Sequence, residues 1–413
     1  MKKLVILGAG TGGTLMARHL TRRLDRSAWS ITVVDRDTDH YYQPGFLFIP
    51  FGLYERAQLV KDRSRFLPKG VEFTVAEVER IDAAANAVVL EDGRSLPYDM
   101  LIVATGAEIV PAELAGSAEG WRDTIFDFYT PEGSEALARA LEVFPGGRLV
   151  VHIQEMPIKC PVVPIEFALL ADWHFTRRRM RRDVEITFVT PLGGPFTRPI
   201  ASRKFGGLFD ERGIGVVGDF VTERVDAAAR KLVCYDGREV PYDLLVTIPT
   251  NMGAGFVERS GLGDELRFIP VDAKTLQSKS HDNIFVIGDA SDAPTAKAGS
   301  VVHFQAEILT ENVLRAIEGK PLAPDLDGHA NCFIATGFRK AILIDYNYDI
   351  EPLHGRFPIP VLGPLPMLKE SRLNHLGKLA FRHMYWRWLL KGRPFPFVPD
   401  RLSMAGKKRP PSD

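Results

Sequence analysis

The chain has 413 residues, 45% apolar and 25% charged, with Lys+Arg and Asp+Glu both at 52. That length exceeds one compact core and implies two or three domains, and the zero formal net charge excludes a charge-driven nucleic-acid partner. No run of 18 apolar residues exists, so no transmembrane helix is expected, and the apolar run at 4–7 is too short for a signal peptide.

Residues 3–7 (KLVIL) read as a buried parallel strand, followed by a glycine turn, a helix to about Arg23 and a strand over 31–34 that ends in Asp35. This is a βαβ unit. Its turn, Gly8-Ala9-Gly10-Thr11-Gly12-Gly13, is a G-x-G-x-x-G run set between strand and helix, with an acidic residue at the next strand end. Dinucleotide binding requires that context. Gly8 is expected to make the tight turn, Gly10 to admit a pyrophosphate to the backbone, and Gly13 to let helix and strand pack, with Gly12 in the same loop. The helix N terminus offers N–H groups to phosphate, and Asp35 is expected to bind ribose hydroxyls. Short strands fill 72–91, with a turn at Glu91-Asp92-Gly93, and 101–104 leads into Thr105-Gly106. After Pro111 a second βαβ pattern begins: helix near 131–143, strand 148–153, helix 164–180, strand 184–189. Strands at 231–235 and 244–248 follow, and 284–287 runs into Gly288-Asp289. From about 322 the chain becomes rich in Pro, aromatic and basic residues.

The second unit lacks a phosphate loop. Its strand runs into Gln154-Glu155-Met156-Pro157-Ile158-Lys159-Cys160, with no glycine, and its next strand ends at Thr190 rather than an acid. A pyrophosphate would be crowded there, so electrons are expected to travel by a route other than NAD(P)H. Three cysteines in so long a chain are no disulfide framework, and two acting together point to catalysis or metal binding. Cys160 stands at the expected start of a helix beside Lys159, and both features favour the thiolate. Cys234, mid-strand in KLVCYDG, reads as core.

Gly8–Gly13, Thr105-Gly106 and Gly288-Asp289 in this order resemble the flavoprotein disulfide reductase superfamily. The resemblance implies FAD, with Thr105 and Gly106 near the cofactor and Asp289 on its ribityl chain. Pro157-Ile158-Lys159-Cys160 with Pro161 and Pro164 resembles the first cysteine motif of sulfide:quinone oxidoreductases. Asn331-Cys332, with Ile342-Leu343-Ile344-Asp345-Tyr346 after it, resembles the second. Tyr42-Gln43-Pro44-Gly45-Phe46 is similar to that family's loop near the flavin, and Tyr385-Trp386 through Lys391-Gly392 to its membrane-proximal element. Pro44 and Val78 join the expected cofactor residues. The resemblance implies that Cys160 and Cys332 form a redox pair. Hydrosulfide opens the pair to a persulfide and a thiolate, and the electrons pass through FAD to a quinone. Which cysteine faces the flavin stays open. Glu166, a turn and a half past Cys160, is the candidate acid–base. Unlike some members, the chain has no cysteine before Cys160 and no histidine just after Thr190, so the length of a polysulfide product also stays open. No metal is expected.

Residues 369–409 hold 11 Lys/Arg against Glu370 and Asp400. Phe381, Met384, Tyr385 and Trp388 fall on one helical face, and Leu379, Trp386 and Leu390 on another. One stripe is expected to pack on the body and the other, Trp-bearing and flanked by cations, to sit in a lipid interface, with Tyr385, Trp386 and Trp388 the candidate membrane and quinone residues. The expected fold is α/β, with two Rossmann-like domains and a C-terminal membrane-associated region. The FAD domain is assigned to 1–110 and 265–321, the second domain to 111–264, and the quinone and membrane region to 322–413. Sulfide, quinone and a membrane surface are the expected partners. The location is then peripheral on a cytoplasmic or inner membrane, with assembly into a homo-oligomer left open. Three alternatives stand beside this reading: the flavin subunit of a flavocytochrome c sulfide dehydrogenase, a type II NADH:quinone dehydrogenase, and a non-catalytic flavin-binding sensor or sulfur-carrier partner.

Overall fold

A computed structural model describes residues 1–359, 363–394 and 398–408. The region assigned to 322–413 therefore includes positions 360–362, 395–397 and 409–413, which lie outside the described residues. In chain order come β1 (Lys2–Leu7), α1 (Thr11–Arg23), β2 (Trp29–Asp35), β3 (Glu72–Val75) and β4 (Met100–Val103). Next come β5 (Ile125–Phe126), α2 (Pro131–Val143), β6 (Gly147–Ile153), α3 (Val163–Arg177), β7 (Val184–Val189), α4 (Pro199–Arg212), β8 (Ile214–Val217) and β9 (Leu244–Ile248). The chain ends through α5 (Gly255–Arg259), β10 (Ile284–Val286), α6 (Gly299–Ile317), β11 (Ala330–Gly337), β12 (Lys340–Tyr346), β13 (Gly355–Phe357), β14 (Leu365–Met367) and α7 (Arg372–Arg387).

Two parallel five-stranded sheets carry the architecture, in the orders β10-β4-β1-β2-β3 and β5-β9-β6-β7-β8. Their strands are continuous apolar runs because helices cover both faces: Leu4, Val5, Ile6 and Leu7 are all buried, with Leu4 in register with Ile31 and Met100. The first sheet takes its last strand, β10, from far along the chain, after the second sheet is complete. This is a doubly wound Rossmann-type arrangement used twice.

A third sheet, β11-β12-β14-β13, pairs β11 and β12 antiparallel with Cys332 opposite Ile344. α7 lies across it and reaches back to the first core, where Tyr385, Trp386, Leu389 and Leu390 are buried. Among the described residues no helix is long and apolar enough to cross a membrane.

Candidate active site

The glycine loop divides its labour. Gly8 has φ +93°, and a Cβ there would meet the Ala104 carbonyl oxygen at 2.5 Å. A Cβ on Gly13 would come 1.8 Å from the Gly8 carbonyl oxygen, so helix and strand pack closer than any side chain permits. Gly12 is fitted against Ile287 and Val302. At Gly10, by contrast, a Cβ meets nothing within 4 Å, and no side chain caps α1 there. That open cradle at an uncapped helix N terminus is what a pyrophosphate needs, so the residues fit the cofactor. Asp35 accepts the Ala9 N–H at 2.5 Å and pairs with Arg63. Burial raises its carboxyl, opposed by Arg63. The ribose ligand expected from sequence thus also anchors the loop.

A cavity of about 910 Å³ runs from this loop to the cysteines, lined by Gly8, Gly10, Gly12, Asp35, Pro44, Val78, Thr105, Gly106, Gly288 and Asp289. Gly13 sits behind it. Burial raises the Asp289 carboxyl, opposed by Lys297 and Lys159. Lys297, missed from sequence, is held by the carbonyl oxygens of Asp289 at 2.9 Å and Ser291 at 2.7 Å.

Cys160 and Cys332 meet in the same cavity as half-buried thiols hydrogen-bonded to each other. Cys160 adopts φ +48°, unusual for a residue with a side chain, and donates its N–H to the Lys297 carbonyl at 2.7 Å. The thiolate expectation for Cys160 is corrected. The hydrogen bond with Cys332 and burial hold its pKa well above the ordinary range. Cys332 is the lowered partner, through that hydrogen bond, then Lys378 and the Ser300 hydroxyl, against burial. Cys160 sits in a turn ahead of α3, not at its start. Nor does Lys159 serve it: the Lys159 amine lies 5.8 Å from the centre of the Tyr129 ring, and the cation acting on both thiols is Lys378.

Glu166 is fully buried in the first turn of α3. It accepts the Ala335 N–H at 2.8 Å and pairs with the Lys378 amine at 2.8 Å. Lys378 donates also to the Phe333 carbonyl at 2.8 Å. Burial raises the Glu166 carboxyl, opposed by Lys378. The candidate acid–base is therefore an ion-pair partner that fixes Lys378. Lys378 was hidden among the cations of the tail. Its one signal was Gly377 inside a helix, a costly choice explained by Phe333, which a Cβ there would meet at 2.8 Å.

The tail expectation is corrected in detail. Tyr385 and Trp386 are 3% and 6% exposed, with Trp386 stacked on Phe66 at 5.2 Å, so neither can face lipid. Trp388 is half-buried and donates to the Pro394 carbonyl at 2.9 Å. The apolar residues that α7 exposes are Leu373, Leu376, Leu379 and Met384, at 49%, 56%, 43% and 40%. In the second sheet the loop after β6 is filled by its own side chains. Ile158 is buried, and the Lys159 N–H bonds Asn251 at 2.9 Å.

Residues 2–143 match the pyridine nucleotide-disulphide oxidoreductase family. The mitochondrial sulfide:quinone oxidoreductase of Dictyostelium discoideum is 28% identical over 95% of this chain and 87% of its own length. That of Mus musculus is 26% identical over 94% and 86%. The crystal structure of the sulfide:quinone oxidoreductase of Aquifex aeolicus superposes with TM-score 0.79 at 22% identity, covering 95% of this chain and 92% of that one. On a fold whose glycine loop is shaped for FAD, the chain is an FAD-dependent oxidoreductase, similar to sulfide:quinone oxidoreductases along nearly all its length.

Proposed function

We propose that the chain oxidises sulfide at Cys160 and Cys332 and passes the electrons by way of FAD to a quinone at a membrane surface. One observation carries the reading: two thiols 172 residues apart in sequence meet inside the cavity that the dinucleotide loop opens. The loop at Gly8–Gly13 would hold the pyrophosphate and Asp35 the ribose, with Pro44, Val78, Thr105, Gly106, Gly288 and Asp289 along the rest. Bound FAD supplies a reversible two-electron store between sulfide and quinone.

The chain's own residues handle the sulfur. With the two cysteines oxidised to a disulfide, hydrosulfide attacks the Cys160 sulfur. A new S–S bond forms to the incoming sulfur, the Cys160–Cys332 bond breaks, and Cys332 leaves as a thiolate. Exchange of this kind runs toward the better-stabilised leaving thiolate, and Lys378 and Ser300 favour the charge on Cys332. The persulfide stays on Cys160, from which the sulfane sulfur passes to a further sulfide or another acceptor.

Leu373, Leu376, Leu379 and Met384, with exposed Arg372, Arg387 and Lys391 near them, support a peripheral contact with lipid from which a quinone reaches the cavity.

Anaerobic titration tests the reading. Sulfide is expected to bleach the flavin absorbance and a quinone to restore it, while micromolar NADH leaves it unchanged. Bleaching by NADH instead of sulfide would identify an NADH dehydrogenase, and bleaching by neither a non-catalytic flavin protein.

A further inference from the structure

The hydroxyl of Tyr385 on α7 lies 2.6 Å from Nε2 of His40 and 2.7 Å from the Thr11 hydroxyl. Nδ1 of His40 lies 3.2 Å from the Ala9 carbonyl oxygen. Only one placement of protons satisfies this chain. A carbonyl oxygen only accepts, so Nδ1 carries the hydrogen. Burial, with Arg63 adding, pushes the His40 pKa down to about 3, so the ring is neutral and Nε2 accepts. Tyr385 donates to it, and Thr11 donates to Tyr385.

Ala9 and Thr11 flank Gly10, the open position of the dinucleotide loop. Both are thus held by one residue from the far end of the sequence. The Thr11 proton is committed to Tyr385, so the loop meets phosphate with backbone N–H groups alone, in the shape this clasp gives it. A second tie grips the other end of α1. Arg22 donates to the carbonyls of Gly392 at 2.8 Å and Lys391 at 2.7 Å. The helix whose N terminus faces the cofactor is therefore fastened at both ends to the segment formed by α7 and the residues just after it.

We propose that Tyr385 is a positioning residue of the cofactor site. Through His40 and Thr11 it couples the docking of α7 to the retention of FAD, so the C-terminal helix locks the cofactor in place. Such coupling is reciprocal: FAD stabilises the docked helix by as much as the docked helix strengthens FAD binding. The proposal stands whichever acceptor takes the electrons.

Tyr385→Phe keeps the ring and removes one hydroxyl, and two measurements then decide. The first is FAD release on dilution, followed by the rise of free-flavin fluorescence. The second is amide hydrogen exchange over residues 372–387, with and without FAD. FAD is expected to slow exchange in the wild-type helix. The variant is expected to release FAD about tenfold faster, the size of effect when a buried hydrogen-bonding group loses its partner, and to show less protection by FAD. A purely structural role would loosen the helix equally with and without FAD and leave that protection unchanged, which overturns the proposal. Unaltered release from Tyr385→Phe, or equal acceleration by Trp388→Phe outside the clasp, also overturns it. So does exchange in the wild-type helix that ignores FAD, a measurement that needs no variant to fold.

Discussion

Lys378 stands between Glu166 and the two thiols, and each depends on its charge in a different way. For Glu166 the amine is the partner of a buried charge, and removing one member of such a pair typically costs about 3–5 kcal/mol. For Cys332 it is one of the groups that favour the thiolate. The two dependences separate experimentally. Lys378→Met is expected to lower stability in urea by about that amount. Lys378→Met with Glu166→Gln is expected to recover most of it, because the neutral amide still accepts the Ala335 N–H. Neither variant restores the thiolate, so the pH at which Cys332 becomes alkylated by iodoacetamide, read by peptide mass, moves up in both. A wild-type alkylation profile in the single variant would remove Lys378 from the sulfur chemistry. The cysteines give a second test. Cys160→Ala and Cys332→Ala are each expected to abolish sulfide-driven quinone reduction. Cys234→Ala is expected to keep most of it, because Cys234 packs in a separate small core. Full turnover in either of the first two would end the disulfide mechanism.

At the scale of elements, what could be read depended on how local the cause was. The first βαβ unit, β6, α3 and β7 are legible because period and turn chemistry fix them within a few residues. α6 goes unread, since most of its first half is buried and its apolar period is blurred. The burial of Tyr385 and Trp386 on α7 departs from the expected lipid contact for a related reason. Tyr and Trp amid cations have the composition of a lipid interface, and nothing near them in sequence announces His40, Tyr42 and Phe66 as their partners. The correction changes the useful experiment. Cutting the chain after Asn374 would delete Lys378, Tyr385 and Trp386, so loss of both half-reactions and of FAD is expected, with no information about lipid. Replacing Leu373, Leu376 and Leu379 together by Ser touches only exposed side chains. It is expected to weaken flotation with anionic liposomes about tenfold or more while flavin reduction by sulfide stays within about twofold, the apolar contact having lost three side chains worth about 1.5–3 kcal/mol each if fully buried. Equal flotation would assign the stripe to another surface.

Across the whole molecule the second Rossmann-type sheet is pinned to the antiparallel strand Thr222–Asp226 by a histidine that must stay neutral. His152 on β6 is fully buried, with Nδ1 2.9 Å from the Thr247 hydroxyl and Nε2 2.7 Å from that of Thr222. Burial alone pushes its pKa down to about 3. An unfolded chain takes up this proton near pH 6.5. Between 6.5 and about 3 the unfolded state therefore binds more protons than the folded one. The stability His152 contributes is complete above 6.5 and is lost as pH falls through that window, by about 1.4 kcal/mol per pH unit. His40, lowered to about 3, and His19, His174 and His303, each lowered to about 4, act in the same direction. Glu166 and Asp289, raised by burial, act against it, because their folded forms bind protons first on acidification. The absolute pH profile mixes these signs, so the informative quantity is a difference. With FAD saturating, wild type and His152→Gln are unfolded in urea at pH 7 and pH 5. Wild type is expected to lose about 2 kcal/mol more than the variant over that interval, since glutamine hydrogen-bonds to both threonines without a proton to gain. Parallel losses would mean that His152 is already charged in the fold, or reached by water, and that the acid sensitivity of this protein lies elsewhere.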